Sequence, residues 1–224
     1  MKISEKLQEA IHQGVHRIGE IEIRQQEDST GFILCHWQDT EKSQLPDHGD
    51  LEIYHGPDSA RDLSTYSADG DYRFTKGEIS LKNGWLMLLD SIDDLRMALD
   101  HFYPAATGLY FAWRAGSLEV EHMRHKLNRQ TGMYRYAGTI SDAGAQQLIQ
   151  QVCGPAHRCA KKILWQLDED TPLDDSEASR YNGIPDGTAP SETIPLLCRE
   201  ACNHFVAECR KAAKAEFDSK QASS

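Results

Sequence analysis

Hydrophobic positions in the first half of the chain recur at mixed spacings. Ile3, Leu7, Ala10 and Ile11 fall on one face of a 3.6-residue repeat and predict a helix over 2–13. Ile18, Ile21 and Ile23 alternate imperfectly over Arg17–Arg24, and Phe32–Trp37 is apolar and β-prone. The turn residues Asp28-Ser-Thr-Gly31 between them predict a hairpin. Short β-prone runs follow at Leu51–Tyr54, Tyr72–Thr75, Ile79–Leu81, Trp85–Leu89 and Leu109–Trp113. Helices are predicted at Ser59–Tyr66, entered through Pro57-Asp58, and at Ile92–Phe102, which Tyr103-Pro104 ends because the residue before proline is pushed out of helical backbone. Gly116 turns the chain, and Glu121–Thr131 fits a helix, with a strand as the other reading. No internal repeat is visible.

The second half reads as helical. Ser141 or Asp142 can cap a helix that runs through Gln146, Leu148 and Ile149 to Val152. Gly154 and Pro155 stop it and permit a new start, so a second helix is predicted from Ala156 to about Leu167, with Ile163, Leu164 and Leu167 as its apolar face. A last helix is predicted from Thr193-Ile-Pro195 to about Phe217, with 218–224 a frayed tail. Residues 168–190 join an acidic run to a turn-rich stretch and read as a solvated loop, a lid or docking element being the alternative. The expected class is α+β. A mixed, small-sheet N-terminal half with short antiparallel strands (1–115) precedes a mainly helical, cysteine-bearing C-terminal half (116–217), unless both form one continuous domain.

Composition narrows the function. Across 224 residues, 24 Lys and Arg face 35 Asp and Glu, a formal charge of −11. Such a chain is repelled by phosphate backbones, so no nucleic-acid partner is expected. No apolar run approaches the roughly 18 residues of a membrane span, and MKISEKLQEAIHQ lacks the apolar stretch of an export signal. The expected location is cytoplasmic, with no membrane partner. There is no G-x-G-x-x-G, P-loop, G-x-S-x-G or H-E-x-x-H, so nucleotide, serine-hydrolase and zincin chemistry have no foothold. His122 and His125 stand three residues apart without a third ligand at a recognised spacing and read as surface histidines.

The cysteines carry the candidate chemistry. Of six, Cys35 lies alone in an apolar, β-prone run and reads as a small buried hydrophobe. The others form C-x5-C at Cys153 and Cys159, and C-x3-C-x6-C at Cys198, Cys202 and Cys209. In a reducing compartment clustered cysteines read as metal or cofactor ligands rather than disulfides. The predicted helices put Cys153 at a helix end and Cys159 in a first turn, where free N–H groups favour a thiolate. They put Cys198 and Cys202 at i and i+4, about 6 Å apart on one face. Cys209 lies seven residues further, a rise of about 10 Å. The simplest site therefore takes Cys153, Cys159, Cys198 and Cys202 as metal ligands and leaves Cys209 spare. Thiolates suit an iron–sulfur cluster and zinc alike, and ordinary core thiols are the third reading.

A family resemblance enters here. Lys82-Asn-Gly-Trp-Leu86, Leu99-Asp-His-Phe-Tyr-Pro-Ala-Ala106, Arg129-Gln-Thr-Gly-Met-Tyr-Arg135, Cys153-x5-Cys159 followed by Ile163-Leu-Trp165, and Pro195-Leu-Leu-Cys-Arg-Glu-Ala-Cys-Asn203 occur in this order. Over about residues 55–212 the chain resembles the 4Fe–4S cluster-binding domain attached to, or encoded beside, class II sirohydrochlorin cobaltochelatases of the cobalamin and siroheme pathway. The resemblance implies a [4Fe–4S] cluster as cofactor, with Cys153, Cys159, Cys198 and Cys202 holding its irons. No chelatase domain is visible, so the resemblance implies the accessory module without chelatase activity. Its expected role is electron transfer, or support of tetrapyrrole metallation, more as a non-catalytic component than as an enzyme. The expected partner is a redox or chelatase-type protein, and the further ligand considered is an anionic tetrapyrrole. A redox- or iron-sensing binding module and a structural zinc protein are the alternatives.

Cations gather in the cysteine-bearing half, among them Arg124, Lys126, Arg129, Lys161, Lys162 and Arg199. They read as ordinary helix-surface charge or as a field that attracts an acidic partner and favours a reduced cluster.

Overall fold

The computed structural model describes residues 2–26, 29–119, 121–153, 159–165, 167 and 192–222. The predicted acidic loop 168–190 and the helix start at 154–156 lie outside the described residues. Along the chain run α1 (Ile3–His12), β1 (Arg17–Ile18), β2 (Ile21–Gln25), β3 (Phe32–His36), α2 (Thr40–Ser43), β4 (Glu52–His55), α3 (Ser59–Leu63), β5 (Trp85–Leu89), α4 (Ile92–Phe102), α5 (Ala106–Arg114), α6 (Met123–Asn128), α7 (Asp142–Leu148), β6 (Lys162–Ile163), β7 (Thr193–Ile194), β8 (Leu197–Cys198) and α8 (Asn203–Ala222). A 3-10 stretch at Gly132–Thr139 and a π turn at Ile149–Cys153 complete the cysteine-bearing half. The class is α+β. Two compact units share the chain: one holds the described residues of 1–118 and 183–196, the other those of 119–182 and 197–224. No described helix is long and apolar enough to cross a membrane.

The first unit is built on a six-stranded mixed sheet in the order β4-β5-β3-β2-β1-β7. The expected hairpin is β2 against β3, antiparallel, with Ile23 opposite Leu34. β2 alternates buried and half-buried residues, the period-2 signature that made it legible. β4 and β7 join their neighbours in parallel at the two edges. α4 starts where Ser91 Oγ accepts the Asp94 N–H at 3.2 Å, and it buries Leu95, Ala98, Leu99 and Phe102. The Phe102 ring stacks on Trp85 of β5 at 5.2 Å.

Two expectations for this unit are corrected. Leu109–Trp113 is helical, inside α5, because Ala105 takes a left-handed turn (φ 60°) after Pro104 and launches a helix. A short apolar run without alternation serves either state. Tyr72–Thr75 and Ile79–Leu81 make no regular strand and contribute only bridges, Tyr66 with Tyr72 and Ser67 with Leu81. Side-chain donors hold this segment instead. The buried Arg73 donates to the Glu78 carbonyl at 3.0 Å and the Ser64 carbonyl at 3.4 Å, and its Nε to Ser80 Oγ at 3.3 Å.

The turn between β1 and β2 depends on Gly19. Its φ is +56°, and a Cβ there would lie 2.6 Å from the Tyr103 ring. Gly19→Ala therefore meets both backbone strain and a packed aromatic, and should lower stability by about 2 kcal/mol in urea unfolding. An unchanged midpoint would show that Tyr103 moves aside freely.

The second unit packs α6, α7, α8 and the β6–β8 pair around Met123, Leu127, Ala137, Ile140, Ile149, Ile163, Trp165, Phe205 and Val206. Ser141 caps α7 as expected, its Oγ accepting the Gly144 N–H at 3.0 Å. Three predictions fail here. Residues 159–165 are extended rather than helical: β6 runs parallel to β8, with Ile163 opposite Cys198. Ile163, Leu164 and Trp165 are buried in succession, a strand-like pattern that a one-faced helix cannot produce. Residues 193–198 form β7 and β8, because Ile194 precedes a proline and the β-branched pair Thr193-Ile194 favours strand. The last helix begins at Asn203 rather than near Thr193, and it runs to Ala222 rather than to about Phe217.

Candidate metal centre

The five later cysteines all belong to the second unit. Cys153 ends the π turn after α7, and Cys159 opens the extended stretch that enters β6. Cys198 lies in β8. Cys202 sits at the entrance of α8 and caps it: its Sγ accepts the Phe205 N–H at 3.4 Å and its carbonyl the Val206 N–H at 3.0 Å. The i, i+4 arrangement of Cys198 and Cys202 on one helix, and the first-turn position of Cys159, are thus replaced by a strand, a cap and an extended segment. A long-range pairing joins them instead. The Leu164 N–H donates to the Cys198 carbonyl at 2.7 Å, so the segment after Cys159 is hydrogen-bonded to the one that carries Cys198.

Cys153, Cys198 and Cys202 pack against the same apolar core, and Cys209 is fully buried within it on α8. Their charges reach one another. Burial pushes the Cys153 thiol far above its ordinary range, and Cys159, Cys198, Cys202 and Cys209 add to the rise. Burial pushes Cys198 up to about 11, against the pull of the Lys161 ammonium, and Cys202 and Cys159 push the same way as burial. Cys209 rises to about 12, again through burial first, with Arg124 pulling it down. Such thiols stay protonated by themselves, and a bound cation is what holds them as thiolates. The cysteines stand as thiols and not as disulfides.

This donor set fits an iron–sulfur cluster. Among the described residues no three His, Cys, Asp or Glu side chains converge to hold a single metal ion. A tetrahedral zinc needs every sulfur about 2.3 Å from one point, whereas a cubane takes one thiolate at each of four irons and accepts a wider set. A further observation points the same way: Trp165 Nε1, in a side chain only 3% exposed, has no hydrogen-bond partner among the described residues.

Cys35 stays in the first unit, buried in β3 opposite Glu22 and Leu86, as its apolar run implied. His122 and His125 meet edge to face at 5.7 Å, with His122 as the residue before α6. Several cations near the unit's helices are paired. Arg124 bonds Asp142, Lys126 lies 2.5 Å from Glu200, and Arg129 bonds Glu121. These partners offset their charge in part: Arg124 still pulls on Cys209, and Lys161 pulls on Cys198. Trp165 carried no role in the sequence reading. The signal was a tryptophan in a buried run beside the cysteine segments, since a buried indole N–H requires an acceptor.

Residues 115–211 match the family described as a 4Fe-4S iron-sulfur cluster binding domain. Residues 3–114 match the family described as a DR2241 stabilising domain. Among solved structures, the chain is similar to DR2241 from Deinococcus radiodurans, with a TM-score of 0.74 and 24% identity. That protein is described as multi-domain, with structural similarity to chelatases and two additional novel domains. The likeness is one of fold. It covers 95% of this chain and 41% of DR2241, so the chain spans less than half the length of that protein. Among curated proteins none matches.

Proposed function

This chain belongs to the DR2241 stabilising domain family and carries a 4Fe–4S iron–sulfur cluster binding domain, and from that premise we propose that Cys153, Cys159, Cys198 and Cys202 each hold one iron of a [4Fe–4S] cluster that serves electron transfer or tetrapyrrole metallation. The observation that supports the ligand set is the packing of Cys153, Cys198 and Cys202 on one apolar core, with Cys159 within electrostatic reach of Cys153 and Cys198. When bound, the cluster supplies one-electron exchange. The chain's own residues do the rest. The β6–β8 pairing and the N-terminus of α8 fix the sulfurs. Ile163, Trp165, Phe205 and Val206, buried in the core on which Cys153, Cys198 and Cys202 pack, keep water from that side of them. Lys161 offsets negative charge at Cys198.

The proposed partner is a chelatase-type protein. DR2241 itself is described as similar to chelatases, and this chain shares the fold of 41% of it. An anionic tetrapyrrole is the ligand class such a partner would handle, and the cytoplasm, where thiols stay reduced, is the proposed compartment.

The test is anaerobic purification with iron, acid-labile sulfide and zinc counted per chain. The expected result is brown protein with about four irons and four sulfides, and a reduced-state EPR signal after dithionite. Zinc without sulfide would overturn the cluster. A cluster that resists reduction and whose chelation unfolds the unit would replace electron transfer with a structural staple.

A further inference from the structure

An indole N–H can only donate, and a buried one ordinarily finds an acceptor. Trp165 is 3% exposed, and among the described residues no oxygen or sulfur accepts from its Nε1. Its position is fixed from two sides. It follows Leu164, whose N–H is bonded to the Cys198 carbonyl at 2.7 Å. Its ring meets that of Phe205 at 5.4 Å and 53°, and the Phe205 N–H in turn caps onto Cys202 Sγ at 3.4 Å. Trp165 therefore stands between the strand that carries Cys198 and the helix start that carries Cys202, in the core on which Cys153, Cys198 and Cys202 all pack.

We propose that Trp165 Nε1–H donates a hydrogen bond to a sulfur of the bound cluster or its ligating thiolates, and through it sets the cluster's potential. The inference rests on the reading that this unit holds a cluster at these cysteines. A donor aimed at cluster sulfur withdraws negative charge and favours the reduced form, which carries one more electron. Trp165 is in this sense a positioning residue: it ligates no iron, and it transfers no proton.

Trp165→Phe keeps an aromatic ring against Phe205 and removes the donor. In the full-length protein, purified without oxygen, the variant should retain wild-type iron and sulfide. Its midpoint potential, from an EPR-monitored redox titration, should move to more negative values. Trp113→Phe, in the first unit, should leave the potential unchanged. Resonance Raman spectra of the oxidised protein give a second readout that needs no reduction. Fe–S stretching bands of the wild type should shift between H2O and D2O, and part of that shift should vanish in Trp165→Phe. An unchanged potential with an unchanged isotope shift would overturn the hydrogen bond while leaving the cluster in place. A wild-type protein without iron and sulfide would instead overturn the reading on which it rests.

Discussion

Alanine at Cys153, Cys159, Cys198 or Cys202 is expected to strip the chromophore, each by itself, and to bring iron and sulfide per chain close to background. Four-ligand metal sites are worth roughly 10–16 kcal/mol, so each thiolate contributes about 3 kcal/mol, or about a hundredfold in affinity. Loss of one also leaves an iron open to water and oxygen. Cys202 allows the fold to be separated from the cluster, because its Sγ also caps α8. Serine is a good capping residue, so Cys202→Ser should lose the cluster while keeping the helical circular-dichroism signal. Cys35→Ala, in the first unit, should keep full iron.

Cys209 is the informative control. It is fully buried on α8 and near enough to Cys153 to raise its proton affinity. As a core thiol its replacement by alanine should cost about 1 kcal/mol, the scale of removing one buried heavy atom, with iron content unchanged. Loss of iron in Cys209→Ala, combined with retention in one of the other four variants, would transfer the ligand role to Cys209.

The elements legible in the sequence are those with local periodicity and caps. α1, α4 and the β2–β3 hairpin carry clear 3.6- or 2-residue patterns, and Ser91 and Ser141 stand at real helix starts. The run Leu109–Trp113 has no period to read, and a tertiary fact decided it: α5 buries Ala106 and Thr107. The cysteine region misled in a more instructive way. C-x3-C spacing looks like one helix face, yet Pro195 and the β-branched residues before it hold 193–198 extended, and the chain enters α8 only after Cys202. The segments that carry Cys159 and Cys198 are joined by the parallel pairing of β6 with β8, a contact between residues 162–163 and 197–198 that no local signal announces. The indole of Trp165, without an acceptor among the described residues, and the buried charges around Glu20 belong to the same class, visible only once distant segments are placed.

Those buried charges make the second large prediction: Glu20→Ala should destabilise the first unit by about 3–5 kcal/mol, the cost of removing one member of a buried ionic group. Glu20 is 3% exposed in the turn between β1 and β2. Its carboxylate accepts the Leu81 N–H and the Tyr103 O–H, each at 3.3 Å, and lies 3.5 Å from His36 Nε2 and 4.0 Å from Arg73 Nη2. The Arg73 side chain is fully buried and also holds the carbonyls of Ser64 and Glu78, so the irregular segment from 64 to 81 depends on a guanidinium whose nearest counter-charge is Glu20. Alanine leaves that cation uncompensated and two donors unmet. Glu20→Gln keeps an acceptor oxygen for Leu81 and Tyr103 and should fall between alanine and wild type. Arg73→Met combined with Glu20→Leu should cost less than the two single changes added together, since an apolar pair replaces a broken ionic one. Urea unfolding followed by tryptophan emission reads this directly, because Trp37, Trp85 and Trp113 lie in this unit and only Trp165 in the other. A loss under about 1 kcal/mol for Glu20→Ala would mean that water reaches Arg73 and that the network is no staple.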